Sequence, residues 1–558
     1  MRSVFAQLLT VAIALHLLAC REGTTIGTVP PGMAAAGSGA MMPAATGIPG
    51  APAANANPLI VKVEDGELEG ALNEAADVRS FLGIPYAKPP VGELRWKEPQ
   101  RNTPWTGVRS AKDFGGRCAQ LDSAVLMNKA SDTEDCLYLN VWTPAPPAPG
   151  AKLPVMFWIH GGGNVNGSTN EPVPYLGSGL FYTGEFLAKK GVIIVSLNYR
   201  LGVFGFLSHA GLTAEGSKSG NQGLWDQQAA MSWVQRNIAS FGGDPSNVTI
   251  FGESAGSLDV CLHVASPKSR GLFHKAVSES GGCTTFQATA ATAQMTTDKL
   301  AAAVGCSGAD TLACLRSKPV SQLLTAIPSG AGTGGFGPNV DGEFFPKQPR
   351  QLFDSGDIAK VPYILGSNTD EGTLFTVATT VTSEDAYKAA IMTRYPAIVD
   401  KVLAFYPVSK FMSAMNPFNA ALARAFGDGA LVCSTWDTAT RAAKAGAPVY
   451  MYNFDIPVSV GTNLGATHGS ELVYVFGTSP ALTDEQKKVS ELMQSYWTNL
   501  AKAGDPNGAS LVQWPKFSEA MDTRVNFSLM PSPVQNFRSE ECKFWREQYD
   551  LRFAAEGS

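Results

Sequence analysis

Basic residues do not dominate this sequence: 43 Lys and Arg stand against 48 Asp and Glu, leaving a formal net charge of -5 and a pI near 5.8. A face that concentrates on phosphates needs a cationic surplus, so nucleic acid is not an expected partner. Internal repeats of about 20 to 50 residues are also missing, which disfavours a solenoid or a propeller. Histidine is scarce, at six in 558 residues, and no HExxH pattern or clustered His/Cys ligand set occurs, so no metal centre is expected. The apolar stretch in MRSVFAQLLTVAIALHLLAC is too short for a comfortable membrane span.

That stretch, with one early cation at Arg2, reads as an export signal. Its end, Leu17-Leu18-Ala19-Cys20, resembles the lipobox of bacterial lipoproteins, whose cysteine is acylated and becomes the mature N-terminus. An ordinary cleaved signal that happens to end on Cys is the plainer alternative. Residues 21–58 are rich in Gly, Ala, Pro and Met, carry almost no charge and show no apolar period, so they cannot build a core. The expected organisation is a signal over 1–20, a disordered tether over 21–58 and one domain over 59–558. An exported chain held to the cell envelope through Cys20, or else secreted, follows from this reading. Nine cysteines are present, and setting Cys20 aside leaves eight, so disulfides are expected outside the cytoplasm. Eight cysteines permit 105 pairings, and spacing alone does not choose among them.

At 44% hydrophobic residues, the body can bury a large core. Apolar, β-rich runs recur at LPVMFWIH (153–160), VIIVSLNYR (192–200), VTIF (248–251), VPYILG (361–366) and APVYMYNF (447–454). Continuous apolar strands suggest a sheet covered on both faces. Between them, residues 222–240 place Leu224, Met231, Val234 and Ile238 near one helical face, and residues 484–502 behave similarly before a stop at Gly504. The fold class expected is α/β: a large, mostly parallel, twisted central sheet with helices on both faces.

Within VTIFGESAGS (248–257), Gly252-x-Ser254-x-Gly256 follows a predicted strand and precedes a predicted helix, the pattern of a nucleophile elbow. A Cβ at 252 or 256 would collide with neighbouring backbone, and the sharp turn lifts the serine hydroxyl out of the sheet. Unpaired amides in the helix's first turn suit a developing oxyanion. Serine needs a base. His16 lies in the signal, and His160 and His209 precede the serine, whereas this elbow orders its triad Ser, acid, His. His263 and His274 read as core or surface histidines directly after the elbow. His468, in the Gly-rich NLGATHGSELVYVFG, is left as the candidate base. The acid must lie between them, and Glu371 is preferred because SNTDEG leaves the carboxyl end of a strand, with Asp370 as the adjacent rival. His160-Gly161-Gly162-Gly163, after LPVMFWI, matches an HGGG oxyanion loop, in which bare backbone approaches the substrate oxygen. Glu471, three residues beyond His468, reads as a supporting carboxylate rather than a metal ligand.

Taken together, FLGIPYAKPPVGELRW, EDCLYLNVWTP, HGGG, NYRLGVFGFL, NQGLWDQQAAMSWVQRNIASFGGDP, GESAG, DGEFFP, the DEG loop and HGSEL, in that order over about residues 59–550, resemble the type B carboxylesterase family, which includes cholinesterases and bacterial carboxylesterases. The resemblance implies an α/β-hydrolase fold and a serine hydrolase that cleaves carboxylic esters through an acyl-enzyme, with no cofactor. It favours Glu371 as the acid and maps the oxyanion donors onto Gly162, Gly163 and Ala255. It also implies the pairs Cys118–Cys136, Cys306–Cys314 and Cys433–Cys542, which leaves Cys261 with Cys283. Two departures bear on the substrate, a small-molecule ester. The loop closed by Cys118 and Cys136 has no aromatic residue, so no π-face is offered there to choline esters. AGTGGFGP (331–338) puts glycines where cholinesterases tend to be bulky, so a roomy acyl pocket is expected. The alternatives are an idle adhesion protein on the same fold, or a specialised lipase or detoxifying esterase.

Overall fold

A computed structural model describes residues 58–123, 129–146, 150–171, 180–327, 335–379, 381–458 and 464–556. The expected signal and, apart from Pro58, the tether lie outside them. The apolar runs supply five strands of the eleven-stranded sheet that the described residues form. In chain order its strands are β1 (Ala71–Leu72), β2 (Val78–Pro85), β3 (Tyr138–Pro144), β4 (Leu153–Ile159), β5 (Ile193–Leu197) and β6 (Gly243–Glu253), followed by β7 (Lys275–Glu279), β8 (Tyr363–Asn368), β9 (Val449–Phe454), β10 (Thr523–Phe527) and β11 (Ser532–Gln535). Their order across the sheet is β11-β10-β9-β8-β7-β6-β4-β5-β3-β2-β1. The pairs from β5 through β10 are parallel, and the two edges are antiparallel. Ile60–Val63, Gly66–Glu69 and Val108–Ser110 form a separate small sheet.

β4 shows why the runs are apolar throughout. Successive side chains of a strand point to opposite faces, so Val155, Phe157 and Ile159 enter one core while Met156 and Trp158 enter the other. Helices α1 (Gln222–Asn237) and α2 (Ala255–Ala265) supply the first core with Leu224, Met231, Val234, Val260 and Leu262. Helix α3 (Asp484–Ala503) supplies the second with Met493, Trp497 and Leu500. A capping box at Thr483 and Gln486 starts α3, and left-handed Gly504 (φ 74°) stops it. α1 ends at Asn237 and gives way to a 3-10 turn over Ile238–Phe241, a little before the end expected from its period.

The chain leaves β4 for β5 on one side and then crosses to β6 on the other. The carboxyl ends of β4 and β6 therefore flank a switch in strand order, where open α/β sheets place their sites. The register pairs Ile159 with Gly252, Glu253 with Glu279, and Glu279 with Gly366, so the segments leaving β4, β6, β7 and β8 emerge side by side. Four disulfides join Cys118–Cys136, Cys261–Cys283, Cys306–Cys314 and Cys433–Cys542. The last spans 109 residues and ties the helix Cys433–Lys444 to the terminal helix Ser539–Glu556. No described helix is long and apolar enough to cross a membrane.

Candidate active site

Ser254 stands at the junction of β6 and α2 with φ 57° and ψ -119°, in the left-handed half of backbone space that a side chain rarely enters. Holding it there costs about 1 to 3 kcal/mol. Both flanking glycines are required by contact. A Cβ at Gly252 would come within 2.6 Å of the Gly256 carbonyl oxygen, and one at Gly256 within 2.0 Å of the Ile159 carbonyl oxygen. The Ser254 amide donates to the Glu279 carbonyl at 2.8 Å, which pins the turn to β7.

The HGGG segment lies against this turn. A Cβ on Gly161 would reach 3.0 Å from the Ser254 Cβ, so only glycine passes. Gly162 (φ 105°) and Gly163 (φ 66°) have positive φ, and the Gly162 carbonyl accepts from the amides of Val165 at 3.2 Å and Asn166 at 3.0 Å, closing a tight turn. The amides of Gly162 and Gly163 donate to no described residue. With Ala255, the first residue of α2, they are the amides available to a negative oxygen beside Ser254.

His468 sits in the loop after β9, buried, its ring 5.0 Å from that of Phe375. Its Nδ1 lies 2.6 Å from Oε2 of Glu371, whose Oε1 accepts from the Asn368 amide at 2.7 Å. Both oxygens of the Glu371 carboxylate are thus engaged, and the imidazole is oriented. Asp370 turns the other way: it accepts from the Ala466 amide at 3.2 Å and faces Arg424 at 3.6 Å. It secures the loop that carries His468 and makes no hydrogen bond to the ring. The other described histidines are engaged elsewhere. His160 stacks on Tyr199, His209 caps a short helix, His263 bonds to Gln227 and Ser269, and His274, just ahead of β7, accepts from Val248.

Among the described residues no hydrogen bond joins Ser254 Oγ to His468. Nε2 of His468 instead lies 3.1 Å from Oε1 of Glu253, off the hydrogen-bonding direction, so the contact is electrostatic and that oxygen has no hydrogen-bond partner. Hydrogen bonds between a nucleophile and its base are often long or misaligned in the absence of substrate and tighten when it binds. Glu253 was not legible in the sequence, because it fills an unspecified position of Gly-x-Ser-x-Gly. It is one of several buried carboxylates here. Glu279 accepts from the Trp497 indole at 2.8 Å, and Glu471 accepts from the Asn368 side chain. Burial pushes Glu279 up to about 8 and Glu471 well above the usual carboxylate range, with the neighbouring Glu253 charge acting in the same direction. Glu253 is raised too, by burial against the opposing pull of His468.

For His468, burial favours the neutral ring, but the Glu253 and Glu371 carboxylates, with the Glu371 hydrogen bond, outweigh it and raise the pKa. The His468 ring therefore holds its proton to higher pH than a free imidazole, and Glu253→Gln removes one raising charge. The acid limb of the kcat/KM profile is expected to move to lower pH in Glu253→Gln, measured on a neutral ester. An unmoved limb, or one moved upward, contradicts this electrostatic assignment. Among the described residues no group of three or more His, Cys, Asp or Glu side chains is arranged to hold a metal ion.

The model of the carboxylesterase family matches residues 57–545. The chain is 36% identical over 514 residues to a medium-chain fatty acyl-CoA hydrolase precursor of Anas platyrhynchos, covering 84% of this chain and 88% of that one. It is 33% identical over 536 residues to an acylcarnitine hydrolase of Mus musculus, covering 88% of this chain and 91% of that one.

Proposed function

The chain belongs to the carboxylesterase family, and on that premise we propose that Ser254, His468 and Glu371 carry out ester hydrolysis with Gly162, Gly163 and Ala255 as oxyanion donors. A serine hydrolase acting on carboxylic esters is what the family supplies; the roles of these residues are our reading of the site. Ser254 Oγ attacks the ester carbonyl carbon as His468 Nε2 takes its proton, and the carbonyl electron pair moves onto an oxygen held by the three amides. That pair returns as the bond to the leaving alcohol breaks, and His468 hands the alcohol its proton. Water then attacks the acyl-enzyme by the same route and frees the acid. The observation that carries this reading is the 2.6 Å Glu371–His468 contact, with the other ring nitrogen 3.1 Å from Glu253, the residue before a serine held at φ 57°.

The two relatives are named for acyl groups carried on coenzyme A and on carnitine. For this chain the expected preference is a neutral ester with a sizeable acyl group. No aromatic residue occurs between Cys118 and Cys136 to meet a quaternary ammonium, and glycines dominate residues 331–335 of AGTGGFGP. Residues 124–128 and 331–334 lie outside the described residues. A series of nitrophenyl esters of increasing acyl length tests this. Activity is expected on dispersed substrates, retained on branched and longer acyl groups, with choline esters poor. A sharp rise only above the micellar threshold would favour a lipase, and a rate unchanged in Ser254→Ala would leave only a binding role.

Export and anchoring through an acylated Cys20 are part of the same proposal, supported by the Leu17-Leu18-Ala19-Cys20 sequence and by disulfides suited to an oxidising compartment. In detergent partitioning the wild type is expected in the detergent phase and Cys20→Ser in the aqueous phase. Equal distribution of the two argues against acylation.

A further inference from the structure

Three consecutive glycines have no side chains with which to fix their own orientation. Whatever aims the amides of Gly162 and Gly163 must act from the residues on either side. The next side chain along is Asn164, itself left-handed (φ 58°) and 1% exposed. Its carbonyl accepts from the Gly202 amide at 2.7 Å, and its Nδ2 donates to Oδ1 of Asp259 at 3.0 Å. Asp259 is fully buried on α2, five residues past Ser254. Its other oxygen accepts from Nε2 of Gln227 at 2.7 Å.

Both oxygens of Asp259 accept here, although burial raises this carboxyl to about 7 against the lowering hydrogen bonds from Gln227 and Asn164. Asn164 and Gln227 must therefore each present their NH2 to it. Oε1 of Gln227 is left to accept from Nε2 of His263 at 2.9 Å, and Nδ1 of His263 meets Ser269 Oγ at 2.7 Å. All five residues are buried. An amide at 259 keeps only one accepting oxygen, so Asn164 or Gln227 would have to turn its own side-chain amide round to meet the new NH2.

We propose that Asp259 is a positioning residue for the oxyanion loop, acting through Asn164. Helix α2 carries the nucleophile at its cap, the Ala255 amide in its first position and Asp259 one turn further on. The other two amides come from a different segment, the turn after β4. The Asp259–Asn164 bond locks that segment to the helix, so the three donors are held in register by one rigid element. The inference rests on reading Gly162, Gly163 and Ala255 as the oxyanion donors.

The test compares wild type, Asp259→Asn, Asn164→Ala and the double variant by kcat, KM, thermal midpoint and the inhibition constant of an aryl trifluoromethyl ketone. The ketone forms a tetrahedral adduct on Ser254 whose oxygen needs the same amides. Asp259→Asn is expected to lower kcat by about tenfold or more, with KM changed by less than about threefold. Ketone affinity should fall in step with kcat/KM. Asn164→Ala should do the same, and the double variant should be no worse than the more impaired single one. Two results overturn the proposal: thermal midpoints that fall while kcat/KM and ketone affinity hold, or losses that multiply in the double variant. A wild type that ignores the ketone and an active Ser254→Ala overturn the triad reading itself, and this proposal with it.

Discussion

Ser254→Ala is expected to lower kcat by about 10⁴- to 10⁶-fold while KM and the thermal midpoint stay close to wild type. The size follows from what is lost. Ser254 is the only nucleophile in the proposed mechanism, and what is left is catalysis by the oxyanion amides and by binding alone. The unchanged stability follows from the structure. The hydroxyl makes no hydrogen bond to a described residue, and the strained backbone is imposed by Gly252, Gly256 and the bond to Glu279 rather than by the side chain. Steady-state kinetics and a melting curve on the same preparation check both halves. A loss below about tenfold in a folded variant would mean that another group attacks the ester.

Glu371→Gln is expected to lower kcat by about 10⁴-fold with the fold intact. The Gln carbonyl can still accept from the Asn368 amide, which turns its NH2 toward Nδ1 of His468. Nδ1 must then accept, so the ring proton moves to Nε2, the nitrogen that has to receive the serine proton. The imidazolium formed in the transition state also loses its nearest compensating charge. Asp370→Asn is the control: it keeps an acceptor for Ala466 and removes only the distant pairing with Arg424, so a much smaller loss is expected. Comparable losses in the two variants would show that the acid has been misassigned.

The two acids also show what the sequence could and could not reveal. The elbow was legible because steric exclusion demands glycine at 252 and 256, and His468 stood out as the proposed base because few histidines exist to choose from. Glu371 and Asp370 stayed open from spacing because both leave β8 in one loop. Their facing is set by that loop's contacts with Ala466 and Asn368, which lie 96 and three residues from the groups they bind. Only the family resemblance separated them beforehand. β7 left no apolar run, since Ser278 and Glu279 on it are polar and yet buried. The carboxylate it brings beside Glu253 was invisible for the same reason. The bond between Asn164 and Asp259 spans 95 residues and exists because Ile159 pairs with Gly252. No local pattern encodes that register.

The most direct measurement is covalent labelling. The purified protein is treated with a fluorophosphonate, digested, and the modified peptide identified by mass. One adduct on the peptide containing Ser254, absent from Ser254→Ala and slowed strongly in Glu371→Gln, is the predicted result. An unlabelled protein, or an adduct on any other residue, contradicts the account.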